Sequence, residues 1–156
     1  MKAYLGKNKQ YVKIDEHDTW SADITLAHIV VPLLGQLRAT THGSPLVAYE
    51  DRPDHLIGTA LPDPSSGDVD EFHHEAWYWV LDEMIFAFSS KLEDWEDQFM
   101  SGRSDIGWEP AENDCYKVVY GPKHTFKIDW ESRSIYQERI SNGFRLFGKY
   151  YENLWD

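Results

Sequence analysis

Cysteine, positive charge and long hydrophobic runs are all scarce in this chain of 156 residues. The single cysteine, Cys115, excludes an internal disulfide and a cluster of thiolate metal ligands, and it fits a reducing cytoplasm. Only 15 Lys and Arg stand against 27 Asp and Glu, which gives a net charge of −12. A surface of this charge repels phosphate backbones and anionic lipids, so direct nucleic-acid binding and membrane association are not expected. The longest apolar run, residues 26–37, is too short to span a membrane and predicts a buried helix.

Aromatic residues, by contrast, are abundant. Seven Trp, nine Tyr and seven Phe make up 15% of the chain, and the total hydrophobic content is 42%. Such a composition excludes a disordered chain, because disordered chains contain few aromatic residues. The length and the bulk of the side chains predict one domain, residues 1–156, with a substantial core.

Apolar residues that recur with the helical period predict three principal helices. Helix one spans about 21–41; it is apolar on two sides, so we expect it to be central and covered, with His28 in the core. Helix two spans about 70–99 and, at 1.5 Å per residue, would be roughly 45 Å long if unbroken, the longest of the three; Ser89 and Ser90 within it are a candidate kink or break. Helix three spans about 131–154, where Gly143 and Gly148 lower the helical propensity but permit close approach of another backbone.

Between these helices the chain carries turn and strand signals. Residues 42–69 contain most of the prolines and predict a long loop, with PDPSSGD as a surface turn. Residues 102–113 also predict a loop. Alternating apolar residues on either side of GPKH predict a β-hairpin over about 115–130 that packs on the helices. The fold class is therefore predicted to be mainly α (α+β), a three-helix bundle with a long central helix and one packed β-hairpin.

Several cationic side chains lie close to aromatic ones and suggest a binding site. Arg38 and His42 are one turn apart and precede the long loop, where they would present two cationic donors. Arginine beside aromatic rings can hold a phosphate and stack on a base, although the same residues also serve as partners for Glu138 and Glu152. The predicted ligand- or partner-binding residues are Trp20, Arg38, His42, Arg139, Arg145 and Lys149.

Carboxylates on helix two offer an alternative site. All-helical nucleotide pyrophosphatases hold Mg²⁺ with paired acidic residues on facing helices, because the ion requires several oxygen ligands. The residues for such a site here are Glu75, Asp82, Glu83, Glu93 and Asp97. Helix one supplies only Asp23 opposite them, so the pattern is incomplete and a solvated acidic face is the default interpretation. No phosphate-binding loop, dinucleotide fingerprint or catalytic triad occurs in the sequence.

A resemblance covers most of the chain. The segments DTW (18–20), THGSP (41–45), VLDEMIFAF (80–88), LEDWEDQF (92–99) and ISNGFRLFGKYYENLWD (140–156) follow in this order. Together they resemble a family of small tailed-phage proteins, many of them from marine and cyanobacterial phages. The resemblance implies a phage origin and a setting in the host-cell cytoplasm, but no particular reaction.

These observations lead to one main hypothesis and two alternatives. The main hypothesis is a non-enzymatic phage accessory protein that binds a host protein or a small anionic, nucleotide-like signal and so interferes with host metabolism or defence. The alternatives are a metal-dependent nucleotide hydrolase of the all-α type that uses Mg²⁺, and a minor virion component. Exposed aromatics and helical glycines are also compatible with a homodimer.

Overall fold

The computed structural model describes residues 2–6, 9–58, 69–113 and 115–155, and it is mainly α with short antiparallel strands. This confirms the predicted class, with three principal helices. The elements in chain order are β1 (Lys2–Gly6), β2 (Lys9–Lys13), α1 (Ala22–Thr40), α2 (His73–Ser89), β3 (Met100–Ser101), β4 (Ile106–Pro110), β5 (Tyr116–Tyr120), β6 (Lys127–Ile128) and α3 (Trp130–Lys149). The predicted surface turn PDPSSGD lies outside the described residues.

Contacts between residues divide the chain into two compact units, whereas the sequence alone predicts one domain. The first unit comprises residues 1–93 and 139–156, and the second comprises residues 94–138. Helix α3 contributes to both, since it begins in the second unit and ends in the first. The boundary near residue 93 falls inside the predicted helix two, where the sequence has no proline or glycine to mark a break.

Helix α1 matches its prediction in extent but not in burial. It begins and ends within one residue of the predicted bounds. Ala27 and Leu34 are fully buried and face the core, whereas Leu26 and Leu33 are each 54% exposed and His28 is also exposed. The expectation that α1 is covered on most faces is therefore wrong, because only one side of it packs on α2. Among the described residues, no helix is long and apolar enough to cross a membrane.

Helix α2 forms the centre of the first unit but ends at Ser89, well before the predicted end near residue 99. The hydroxyl of Ser90 donates to the carbonyl of Phe86 at 2.9 Å, and Glu93 is already extended. A serine side chain that competes for a helical carbonyl favours such a stop. As a result, α2 is shorter than α1 and α3, and the predicted long central helix is not present. Its buried face supplies the largest part of the core, namely Ala76, Trp77, Val80, Leu81, Met84 and Phe88.

Helix α3 crosses α2 at Gly143. A Cβ atom built on Gly143 would lie 2.5 Å from the Cβ of Ala87 and closer still to the carbonyl oxygen of Glu83. The predicted close approach of two backbones is thus confirmed at Gly143, whereas the space around Gly148 is open. The helical period predicts a buried stripe of Ile140, Phe144, Phe147, Tyr151 and Leu154. Of these, Ile140 is buried, Phe144, Phe147 and Leu154 pack partly buried against the core, and Tyr151 is exposed; Gly143, Leu146 and Tyr150 complete the buried face. The helix ends at Lys149, and a 3₁₀ turn (Tyr151–Asn153) follows.

The second unit holds two small antiparallel sheets in place of the predicted hairpin. Strand β5 pairs with β4, so that Ile106 lies opposite Tyr120 and Pro110 opposite Tyr116. Strand β6 pairs instead with β3. The predicted pairing over 115–130 fails because the partner of β5 lies in the segment taken as a loop, where Gly107 and Pro110 weaken the strand signal. Near these sheets, Trp95 stacks on Tyr136 with ring centroids 5.0 Å apart.

Candidate functional site

Arg38, the first of the predicted binding residues, forms an ion pair between α1 and α2. Its Nε donates to Oδ1 of Asp82 at 3.0 Å, and its guanidinium lies 4.1 Å from the centre of the Tyr78 ring. Both partners are partly exposed, so the pair contributes at most about 1 kcal/mol. An anionic ligand would have to compete with Asp82 for this side chain.

Arg139 is paired more tightly. Its Nε and Nη2 donate to both carboxylate oxygens of Glu83 at 2.7–3.1 Å, and its guanidinium lies 3.8 Å from the centre of the Phe86 ring. The Glu83 carboxylate is almost fully buried, at 8% exposure. A two-pronged contact of this kind is among the stronger ion pairs in proteins. Arg139 therefore neutralises a buried acid at the contact between α3 and α2.

Arg145 and Lys149 converge on the buried carboxylate of Asp51, whose side chain is 1% exposed. Lys149 Nζ lies 2.5 Å from Asp51 Oδ2 and 3.0 Å from Glu50 Oε1, and Arg145 Nη2 lies 2.6 Å from Asp51 Oδ1. The Tyr150 hydroxyl donates to Asp51 Oδ2 at 2.7 Å and accepts from the N–H of Ala48 at 3.0 Å. Two cations and a phenol thus hold the segment after α1 against the end of α3.

This cluster shifts the pKa values of its members. Burial alone would raise the pKa of Asp51, but hydrogen bonds from Lys149, Tyr150 and Arg145 lower it by more, so the pKa is below its ordinary value. Hydrogen bonds to Asp51 and Glu50 raise the pKa of Lys149. Burial, and then the hydrogen bond to Asp51, raise the pKa of Tyr150 to about 12. At neutral pH the cluster therefore holds two carboxylates, Asp51 and Glu50, two cations and a neutral phenol.

Tyr150→Phe should change how stability depends on alkaline pH. At about pH 8 the variant should unfold more easily by about 1–2 kcal/mol, because it lacks the hydrogen bond to a buried carboxylate. Between about pH 10 and 12 the unfolded wild type loses the Tyr150 proton while the folded protein keeps it, so wild-type stability falls as the pH rises. The variant has no such proton, so the difference in unfolding free energy between the wild type and Tyr150→Phe should become smaller as the pH rises through this range. Urea denaturation at a series of pH values measures it.

Tyr151 supplies the control for this experiment. Its side chain is exposed, so Tyr151→Phe should leave the stability at about pH 8 close to that of the wild type. If the difference in unfolding free energy between the wild type and Tyr150→Phe stays constant up to about pH 12, the Tyr150 phenol does not control alkaline unfolding.

Next to this cluster lies a second ion pair that is fully buried. Arg52 Nη1 and Asp70 Oδ2 are 2.5 Å apart, and their side chains are 0% and 2% exposed. Arg52 Nε also donates to the carbonyl of Val47 at 3.0 Å, and the Tyr49 hydroxyl donates to Asp70 at 3.2 Å. Burial alone would raise the pKa of Asp70, but the ion pair with Arg52 and the hydrogen bonds from Phe72 and Tyr49 together lower it. Arg52 Nη2 has no hydrogen-bond partner within the described part of the chain.

Ser44 and the first residues of α2 make a contact that the sequence did not indicate. The Ser44 hydroxyl lies 2.8 Å from Nδ1 of His74, and the Ser44 carbonyl lies 2.9 Å from Nε2 of His73. Thirty residues separate Ser44 from His74, so no local spacing could reveal this pairing. The two contacts fasten the segment after α1 to the start of α2. His73 and His74 therefore have a structural role.

Trp20 and His42 do not join the other predicted residues in one site. Trp20 is 81% exposed and lies just before α1, where its ring contacts His17. His42 is exposed just beyond the other end of α1, which is roughly 28 Å long. Of the six predicted binding residues, the structure brings only Arg145 and Lys149 together, on Asp51.

The alternative magnesium residues are also dispersed. Asp82 and Glu83 bind Arg38 and Arg139, while Glu75 lies exposed in the first turn of α2. Glu93 and Asp97 follow the end of α2 and are not part of that helix. Within the described ranges, no group of three or more His, Cys, Asp or Glu side chains is arranged to hold a metal ion.

The surface of the first unit carries an apolar groove. It has a volume of about 400 Å³ and lies between the outer side of α1 and the C-terminal part of α3 with the turn that follows. No Lys, Arg, Asp, Glu or His lines it. The lining residues are Leu26, Val30, Leu33, Leu34, Leu37, Phe88, Phe147, Tyr151 and Leu154.

The residue spacing along α1 explains the shape of the groove. Leu26, Val30, Leu33 and Leu37 are separated by four, three and four residues, the spacing of a seam along which one helix packs against another. From the sequence, these residues are expected in the core, because a helix that is apolar on two sides is usually buried. These four residues form a second apolar stripe, separate from the buried stripe that contains Ala27 and Leu34. This second stripe is the sequence signal for the groove.

No protein-family model, no curated protein and no solved structure matches this chain. Its function is therefore inferred from the chemistry of its own residues. Among the described residues, the apolar groove and the acid-paired arginines and lysine are the most informative features.

Proposed function

We propose that this chain is a phage-encoded, non-enzymatic accessory protein that binds a host protein by seating an amphipathic helix of that partner in the groove of the first unit. The groove is the observation that carries this proposal. The groove is apolar and lies beside the α1 stripe whose residues are spaced by four, three and four. Amphipathic helices bind such grooves with apolar residues at i, i+3 or i+4, and i+7. Binding would block the partner and so interfere with host metabolism or defence.

A protein partner is favoured over the small anionic signal because the predicted cations already have carboxylate partners. Arg38 binds Asp82, Arg139 binds Glu83, and Arg145 and Lys149 both bind Asp51. An incoming phosphate would have to compete for these ion pairs. At Glu83 it would leave a buried carboxylate without its cation, and at Asp51 it would remove one of two cations. The groove, by contrast, exposes apolar surface that gains free energy when it is covered.

The charge of the first unit points to a partner helix with a basic rim. Residues 1–93 and 139–156 contain seventeen Asp and Glu against ten Lys and Arg. One of the acids, Glu152, is exposed and follows the lining residue Tyr151 directly in the sequence. Complementary charge speeds association and rejects acidic competitors, and its effect weakens as salt is added.

Two synthetic helical peptides test the proposal directly. Both carry leucine at i, i+3 or i+4, and i+7; the remaining positions are mainly Lys in one peptide and mainly Glu in the other. Fluorescence anisotropy should show that the basic peptide binds with a dissociation constant on the order of micromolar, and the acidic peptide at least about tenfold more weakly. Leu33→Gln should weaken binding of the basic peptide by roughly tenfold, because it places an amide in the trough.

Ile135→Gln is the matched control, since Ile135 is an exposed aliphatic residue of α3 that does not line the groove. This variant should bind the basic peptide as the wild type does. Equal binding by Leu33→Gln would show that attraction is electrostatic only and would remove the groove from the proposal. A thermal-shift screen with nucleotides and cyclic oligonucleotides should show no stabilisation; a large shift would favour the anionic ligand instead, and conversion of the ligand would favour the hydrolase.

A further inference from the structure

Three cations of the second unit have no carboxylate partner within the described part of the chain. From residue 14 onward the sequence contains eleven Lys and Arg, and eight of them form ion pairs with Asp or Glu. The other three are Arg103, Lys123 and Lys127. Acids outnumber bases in this chain, so a cation that none of them engages is available to an anion from outside.

Backbone contacts bring these three residues to one turn. The N–H of Arg103 donates to Oγ1 of Thr125 at 3.0 Å, and the carbonyl of Arg103 accepts from the N–H of Thr125 at 2.9 Å. Lys123 and Lys127 lie two residues before and after Thr125. Asp105 lies in the same turn, but its carboxylate already accepts the N–H of Lys123 at 2.9 Å. The turn therefore carries three cations against one acid.

An open cavity borders this turn. Its volume of about 560 Å³ falls within the range of about 300–1,000 Å³ that is usual for small-molecule sites. The aromatic lining residues are Tyr120, Phe126 and Trp130, two isoleucines complete the apolar lining, and Lys127 and His124 are the basic lining residues. Tyr120 and Trp130 are 69% and 63% exposed, so a flat group of a ligand can stack on their rings.

His124 supplies a second donor at the cavity. Its Nδ1 accepts a hydrogen bond from the backbone N–H of Asp105 at 3.2 Å, and its ring packs on Tyr120 with centroids 4.6 Å apart. Because a backbone N–H only donates, Nδ1 carries no proton here, and the proton of the neutral imidazole lies on Nε2. The Nε2–H and the Lys127 ammonium are then two donors beside a stacking surface, which suit the two oxygens of a carboxylate.

We propose that this cavity binds a small aromatic carboxylate, whose ring stacks on Tyr120 and Trp130 and whose carboxylate binds Lys127 and His124. The site belongs to the second unit and is separate from the groove of the first. A singly charged ligand is favoured over nucleotides and other multiply charged anions, because the second unit holds ten Asp and Glu against five Lys and Arg and repels each further negative charge.

Three indole probes of similar size and different charge test the proposal: indoleacetate, indoleacetamide and tryptamine. Each is titrated into the isotope-labelled full chain, and NMR follows the indole N–H of Trp130 and the backbone amides of residues 120–130. Indoleacetate should shift these signals with a dissociation constant on the order of 0.1–1 mM. The neutral amide and the cationic amine should each bind at least about fivefold more weakly, because neither gives Lys127 an anionic partner.

Lys127→Met removes the ammonium and keeps a long apolar side chain. It should weaken indoleacetate binding roughly fivefold and leave indoleacetamide binding unchanged. Trp130→Leu should weaken binding of both probes, because it removes a stacking ring. Lys117→Met is the matched control, since Lys117 is a lysine of the same unit that pairs with Glu109 and does not line the cavity. This variant should bind indoleacetate as the wild type does.

The same spectra show whether each variant is folded, and Lys127→Gln replaces Lys127→Met if the latter is not. The proposal is overturned if indoleacetamide or tryptamine binds as tightly as indoleacetate, or if the Lys127 variant binds indoleacetate as the wild type does. It is also overturned if indoleacetate shifts the signals of Leu33 and Phe147 in the groove instead, or if residues 120–130 show no shift at about 10 mM probe.

Discussion

Arg52→Ala should lower the free energy of unfolding by about 3–5 kcal/mol. The substitution leaves Asp70 buried at 2% exposure without its cation, and it also removes the donor to the carbonyl of Val47. The Tyr49 hydroxyl and the N–H of Phe72 still donate to Asp70, but neither carries a charge. Urea denaturation at neutral pH, followed by tryptophan fluorescence, measures the loss.

Arg38→Ala is the matched control, because Arg38 forms an arginine–aspartate pair at the surface. Its partner Asp82 is 55% exposed, and water can replace the guanidinium once it is removed. We expect a loss of at most about 1 kcal/mol from this ion pair. If Arg52→Ala and Arg38→Ala lose similar amounts, burial of the Arg52–Asp70 pair does not contribute as proposed.

Gly143→Ala should destabilise the first unit by about 2 kcal/mol, although alanine is the better helix former. The new methyl group meets the Glu83 carbonyl and the Cβ of Ala87, and neither can move unless the two helices separate. Separation would also loosen Leu146 and Tyr150, which pack on the core from the same face of α3. Thermal and urea unfolding both measure the change.

Gly148→Ala, on the same helix, should have the opposite effect. No atom lies within 4 Å of a Cβ built there, so the substitution gains helical propensity without a clash. We expect an increase in stability of up to about 1 kcal/mol. If Gly143→Ala and Gly148→Ala both raise the free energy of unfolding by similar amounts, α3 and α2 do not cross closely at Gly143.

Local patterns were sufficient to predict helices but not the pairing of strands. The extent of α1 follows from its apolar period, which is a property of neighbouring positions. At the end of α2, the Ser90 hydroxyl donates a hydrogen bond to a helical carbonyl. The serine pair at 89–90 is a local signal for this break, but the apolar period continues through Phe99 and predicts a longer helix. The partner of β5 could not be predicted because strand pairing is not local and β4 contains both Gly107 and Pro110.

The candidate site shows the same limit. From the sequence, Arg38, Arg139 and Lys149 are expected to be available cations. Their acidic partners lie far along the chain and cannot be identified from local spacing. The separations are 44 residues for Arg38 and Asp82, 56 for Arg139 and Glu83, and 99 for Lys149 and Glu50. Intrahelical partners can be read from spacing, whereas partners on other elements require the fold. The groove was similarly hidden, since exposure of Leu26 and Leu33 depends on where α2 and α3 pack.

The cluster around Asp51 has a consequence for the order in which the protein is made. The Tyr150 hydroxyl that binds Asp51 lies 99 residues further along the chain. A ribosome that adds about 5–20 residues per second needs roughly 5–20 s to cover that distance. During this interval Asp51 has emerged without Arg145, Lys149 or Tyr150, and the segment after α1 cannot take its final place. The first unit therefore closes only after residues 145–150 have been made, and until then its aromatic core residues remain available to chaperones and proteases.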